Sequence, residues 1–218
     1  MILKLLWELL FPPKCVLCRN VLSKEELDLC RVCRRKAPAY DGRRDKLRFV
    51  KKYTAVWYYE DTVRRSLLRY KFHNARSYSQ CYGRMMAMKI TEDLPEEIDL
   101  VTWVPIGPKR KRKRGYDQVG LLAEAVSREL AIPAGRLLRK PRDNKPQSGL
   151  DTAESRRANV LGVYEICDPE MIRDRDILLL DDIVTTGATL SECARMLQGA
   201  GAKNVYCAAV AVVRNQKQ

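Results

Sequence analysis

The stretch Ile177–Leu190, reading ILLLDDIVTTGATL, constrains the chain more than any other. Four consecutive apolar residues, Ile177 to Leu180, fit a strand buried on both faces, which belongs in a parallel sheet covered by helices. Two adjacent carboxylates, Asp181 and Asp182, follow where that strand is expected to end. After Ile183 and Val184 come five small residues, Thr185, Thr186, Gly187, Ala188 and Thr189. Leu190, Cys193, Ala194 and Leu197 then fall at helical spacing. The order is strand, acidic tip, loop, helix. Ligands bind at the carboxyl edge of an open parallel sheet. A small-residue loop that opens a helix offers unpaired N–H groups and the positive end of the helix dipole to a phosphate. Two carboxylates accept hydrogen bonds from a vicinal diol. A phosphate beside a sugar diol describes a ribose 5-phosphate site.

Competing readings of the stretch fail on detail. A Walker B strand needs a G-x-x-x-x-G-K-[ST] loop upstream, and the glycines at that spacing, Gly115 and Gly120, are followed by Leu121 and Leu122. An aspartyl-phosphate enzyme calls for Asp-x-Asp, whereas these acids are adjacent. A buried strand whose acids merely cap the next helix leaves the hydroxyl-rich loop unexplained.

The stretch closely resembles the signature of the type I phosphoribosyltransferases, which bind 5-phosphoribosyl 1-pyrophosphate. The resemblance implies an α/β fold with helices on both faces of a parallel sheet. It further implies that Asp181 and Asp182 meet the ribose hydroxyls and that Thr185, Thr186, Gly187, Ala188 and Thr189 cradle the 5′-phosphate. Some members bind the ligand without catalysing a reaction.

Upstream, Cys15-x2-Cys18 and Cys30-x2-Cys33 lie within nineteen residues. Two such pairs make a tetrahedral thiolate site for zinc, a closed one that leaves no open position for catalysis. The alternative, two disulfides, conflicts with a chain in which no export signal is read. Ile2 to Phe11 is apolar but carries Lys4 and Glu8. It is too short and too charged to span a bilayer and lacks a small-residue cleavage site, so a cytoplasmic protein is expected. Residues 1–11 are expected to form a short helix that Pro12 and Pro13 end. The division expected is a zinc-binding module over 1–45 and a sheet domain over 46–218.

The net charge is +14, from 41 Lys and Arg against 27 Asp and Glu. That excess favours polyanionic partners, and it is clustered. Strands are expected at Thr54–Tyr59, Leu100–Val104, Val160–Cys167 and Asn204–Val213, with helices from a capping Asp61 to Tyr70, over Tyr78–Ile90, and from Val119 to Leu130. After the Leu100–Val104 strand and Pro105–Pro108 come six bases, Lys109 to Arg114, ahead of the helix that Gly115 to Gln118 lead into. Crowding six cations at a strand end suits a pyrophosphate, a nucleic-acid backbone or both. The competing reading is a solvated loop. Lys109 and Arg110, nearest the strand, are the candidates for pyrophosphate. Lys111, Arg112, Lys113 and Arg114 are the candidates for nucleic acid, with Tyr116 either a stacking face or a core ring. The bases Arg31 to Lys36 are a second nucleic-acid candidate. The loop from Arg136 to Asp151 is expected to close over a ligand, and Arg156 and Arg157 follow it. His73 is read as a helix-end residue, and Cys193 and Cys207 as core.

The four-Cys module, Tyr70-Lys71-Phe72, Val104 to Gln118, Gln147 to Asn159 and the loop after Ile177 together resemble the ComF family, which includes competence proteins needed for DNA uptake. The resemblance covers nearly the whole chain. It implies phosphoribosyl pyrophosphate with Mg²⁺, single-stranded DNA and proteins of the competence machinery as partners. Two functional classes are compatible with it: a glycosyl transferase with an acceptor to be identified, or a binding protein on the same fold. One departure is Asn74-Ala75, where many members have Gly-Asp. Asn tolerates positive φ, so the turn can survive.

Overall fold

Four parallel strands form the central sheet in the order β1–β6–β5–β2. They are β1 (Lys52–Tyr58), β2 (Leu100–Trp103), β5 (Asp176–Val184) and β6 (Asn204–Val212). The computed structural model describes residues 12–42, 46–94, 97–142 and 162–214. The expected helix over 1–11, the turn at Pro95, Arg156 and Arg157, and most of the loop to Asp151 lie outside the described residues. The remaining elements are helices α1 (Arg31–Lys36), α2 (Asp61–Phe72), α3 (Tyr78–Asp93), α4 (Pro108–Arg114), α5 (Gln118–Leu130) and α6 (Ala188–Gly199), and the short antiparallel pair β3 (Leu138–Arg139) and β4 (Glu165–Ile166).

Alternation along the strands builds two cores. Leu178, Leu180, Tyr206 and Ala208 face a cluster with Leu67 and Tyr70 of α2, Tyr82 and Met86 of α3, and Leu122 and Val126 of α5. Ile177, Leu179, Val205 and Cys207 face the other cluster, with Leu190, Cys193 and Leu197 of α6. This is the doubly covered parallel sheet that unbroken apolar strands require. Gly83 lets α3 and α5 touch: a Cβ there would lie 2.4 Å from that of Ala125.

The structure corrects several local expectations. The bases 109–114, ahead of the expected helix, form a helix of their own, α4. Pro108 starts it, and Gly115, at φ 75°, ends it in the left-handed region, the usual positions of these two residues. Asp61 is the first residue of α2; Glu60 occupies the cap. Of the strand expected over Val160–Cys167, the described residues 162–167 form only the two of β4, and 160 and 161 lie outside the described residues. Above all, β5 does not stop before the acids but runs through both of them to Val184. Other expectations hold: His73 ends α2, Cys193 and Cys207 are buried, and Asn74 has φ 51°, so the turn survives without glycine. No helix among the described residues is long and apolar enough to cross a membrane.

Candidate ligand site at the carboxyl edge of the sheet

Successive side chains of a strand leave on opposite faces. Because β5 continues through Asp181 and Asp182, the two carboxylates part company. Asp182 turns toward α2 and α5. It pairs with Lys71 Nζ at 2.8 Å, both side chains being largely buried, and accepts a hydrogen bond from Gln118 Nε2 at 3.1 Å. Asp181 turns toward α6, where its charge is felt by Cys193, Cys207 and Tyr164. Burial, with the neighbouring charge of Asp182 adding to it, pushes the Asp181 carboxyl up from 3.8 to about 8. The expectation of two acids side by side on one diol is thereby corrected: they flank the sheet edge from opposite faces.

Asp181 and the predicted phosphate loop do come together. A cavity of about 20 Å³ is lined by Asp181, Thr185, Gly187, Thr189, Ile183, Val184 and Leu190. That is room for about one water. Gly187, at φ 78° and ψ 1°, is the N-cap of α6, a left-handed conformation that favours glycine. The Thr186 hydroxyl accepts from Ala188 N–H at 3.3 Å. Helix α6 begins at Ala188, two residues before its apolar stripe, so Ala188 and Thr189 already belong to its first turn.

Helix α4 stands beside this edge. Its 3.6-residue period places Arg110 and Arg114 on a half-buried face, while Lys109, Lys111, Arg112 and Lys113 are exposed. Arg110 is close enough to influence Tyr164. Arg114 interacts with the charge of Asp182, and burial lowers its pKa. Arg114, expected among the outward nucleic-acid residues, therefore belongs with the inner face. Tyr116 is corrected as well. Its ring is buried, its hydroxyl donates to the Tyr70 carbonyl, and the Arg76 guanidinium lies 4.9 Å from its centroid. It has no free face for a base.

Two residues of this site escaped sequence reasoning as site residues, although both fall inside the quoted motifs: Lys71 and Gln118. Tyr70 donates to the Gln118 carbonyl at 2.6 Å, so the Tyr-Lys-Phe end of α2 clamps the start of α5. Gln118 is buried and its Oε1 has no partner among the described residues, an acceptor that needs a donor.

The metal centre lies on the face of α2 and α3. The Sγ atoms of Cys15, Cys18, Cys30 and Cys33 all lie within 4.8 Å of one another. A zinc tetrahedron with Zn–S of about 2.3 Å has S···S edges of about 3.8 Å, so the four thiols fit a structural zinc. All eight cysteines are free. The knuckle carbonyls of Val16 and Leu17 accept from Arg69 Nη2 at 3.2 and 2.6 Å, and the Ser66 hydroxyl also donates to Val16. Asp28 forms a two-pronged pair with Arg84 of α3 at 2.8 and 2.5 Å. Arg31, Arg34, Arg35 and Lys36 are exposed.

Comparison with known proteins agrees with both halves. Residues 120–218 match the phosphoribosyl transferase domain family, and residues 6–44 match the double zinc ribbon domain family. The chain is thus a phosphoribosyltransferase-fold protein with a zinc ribbon. It is 26% identical over 185 residues to competence protein F of Haemophilus influenzae, covering 81% of this chain and 75% of that one. It is 26% identical over 205 residues to competence protein ComFC of Bacillus subtilis, covering 88% and 82%. Over most of its length the chain is thus similar to competence proteins of the ComF kind. Among solved structures, the glutamine phosphoribosylpyrophosphate amidotransferase from B. subtilis is similar at 18% identity and TM-score 0.44, over 65% of this chain and 30% of that one.

Proposed function

We propose that the protein binds 5-phosphoribosyl 1-pyrophosphate at the carboxyl edge of the sheet and acts in DNA uptake. One observation carries the reading: Asp181 and the loop Thr185–Thr189 share a cavity at the head of α6, beside the cationic face of α4. The 5′-phosphate lies on the loop, the ribose against Asp181, and the diphosphate toward Lys109 and Arg110. Asp181, which lines the loop cavity, is a hard oxygen donor of the kind Mg²⁺ accepts, which suits an ion arriving with the diphosphate and keeping several waters. Its charge would help stabilise the departing diphosphate. The cavity is smaller than a phosphate, so the loop opens as the ligand enters. Asp182, held by Lys71, acts as the fixed wall of the site. The free thiols fit a reducing, cytoplasmic setting. The names of the relatives support the role in competence and the proteins of that machinery as partners.

Titration calorimetry with the donor, with and without Mg²⁺, tests the site. Asp181→Asn and Gly187→Ala should each weaken binding at least tenfold; unchanged affinity in both places the site elsewhere. Pyrophosphate release over a panel of nucleobases separates a transferase from a binder. A second reading, binding of single-stranded DNA, is favoured by the exposed Lys111, Arg112 and Lys113 on α4.

A further inference from the structure

Phe72 is the last residue of α2 and is 55% exposed. The buried apolar stripe of that helix is Val63, Leu67 and Tyr70. Phe72 is off the stripe, and packing gives no reason for a ring there. Its two predecessors are fully used: Tyr70 clamps α5 and Lys71 holds Asp182. The ring instead meets the end of the basic helix. The Arg114 guanidinium lies 5.2 Å from its centroid, and beyond it Lys111, Arg112 and Lys113 are exposed. A half-exposed ring with a guanidinium over one face and further cations beyond it suits a ligand that is flat and anionic together. An aliphatic partner would gain nothing from the positive border. Nucleotides combine both properties, and base stacking on an aromatic ring in a basic groove is how single strands are held without sequence preference.

We propose that Phe72, with Arg114 laid against it, is a stacking platform for a nucleobase, and that the outer cations of α4 take the adjoining phosphates. The inference deepens the strand-binding reading of α4 and rests on it. It gives the stacking role to Phe72, which the burial of Tyr116 leaves open. The base has two possible sources: a strand, or a free base or nucleotide entering beside the phosphoribosyl site.

The test compares the full-length zinc-loaded protein with Phe72→Ala, Phe72→Leu and Phe72→Trp, each checked for an unchanged melting temperature. Anisotropy titrations use labelled ten-residue oligothymidylate, an abasic phosphodiester of the same length, and unlabelled thymidine monophosphate and adenine as competitors. Phe72→Ala should bind oligothymidylate about tenfold more weakly, within the range one stacked base supplies, and Phe72→Leu should follow it. Phe72→Trp should match or exceed the parent. The abasic strand should bind parent and Phe72→Ala alike, and the salt slope should not change, because no phosphate contact is lost. Competition by the monophosphate or by adenine that weakens in Phe72→Ala would assign the platform to a free base rather than a strand. Equal oligothymidylate affinity in parent and Phe72→Ala, with no competition, overturns the platform and leaves the strand reading standing. Equal losses on the abasic strand also overturn it, since the ring would then act through the charged surface. Absence of binding by the parent to every probe at low salt overturns the strand reading and the platform together.

Discussion

The two acids at the sheet edge should respond to amide substitution in opposite directions. Asp181 is pushed from 3.8 to about 8 by burial and by the charge of Asp182. Between those values the folded protein holds a proton that the unfolded chain has released. Stability therefore falls as pH rises from about 4 to about 8 and is lowest above the raised value. At about 1.4 kcal/mol per pH unit, the whole rise corresponds to a ceiling of roughly 6 kcal/mol. Asp181 is only partly shielded at the cleft, and water there reduces the measurable part to about 2–3 kcal/mol. Asp181→Asn removes the titration, so the variant should match its parent near pH 5 and exceed it by that amount at pH 9. Asp182→Asn does the reverse. It strands the Lys71 ammonium, only 16% exposed, and should cost about 3 kcal/mol at neutral pH. Urea unfolding at pH 5, 7 and 9 with zinc retained gives both numbers. Parallel stability–pH curves for Asp181→Asn and its parent would show that Asp181 titrates normally and that the argument from burial is wrong.

Other consequences are equally direct. The protein should carry one zinc, and Cys30→Ser should lower the melting temperature of the whole chain in one transition, because the module's Val16, Leu17 and Leu29 share a cluster with Tyr70 and Tyr82; an unchanged transition of the sheet would show the module to be separable. Gly187→Ala places a side chain at φ 78° and should cost about 1–2 kcal/mol in chemical unfolding; no loss would mean the loop adopts another conformation. Replacing both Arg112 and Lys113 by Ala should reduce the log–log salt slope of oligonucleotide binding by about 1.4, and an unchanged slope would move the strand surface away from α4.

The sheet was readable from its sequence because burial on both faces leaves a signal without alternation, as in Ile177–Leu180 and in β6. The loop and the thiolate set were readable because their chemistry is local: small residues before a helical stripe, and two Cys pairs of equal spacing. Where β5 ends was not local. Two acids look like a strand end, yet the strand continues because Asp182 finds Lys71 and Gln118, partners far away in the chain. Helix α4 was legible in principle. Lys and Arg are good helix formers, and Pro108 and Gly115 bracket the run as a helix start and stop do. The positions of Lys71, Gln118 and Phe72 come from the docking of α2 on α5, which no window along the chain reports.

That docking explains why a metal module sits on this sheet at all. Helix α2 is contacted at Ser66 and Arg69 by the zinc knuckle carbonyls. Within one further turn it delivers Tyr70 to the Gln118 carbonyl and Lys71 to Asp182. A helix end is where a helix frays, and Lys71 and Phe72 are the last residues of this one. A side chain that must neutralise a buried carboxylate there needs the turn before it held from both sides. The sheet core supplies one side, through Leu67 and Tyr70. The knuckle supplies the other, through the Val16 and Leu17 carbonyls that accept from the Arg69 guanidinium. The zinc ribbon is thus placed to set the position of Lys71, and through it the charge balance at the edge of the sheet.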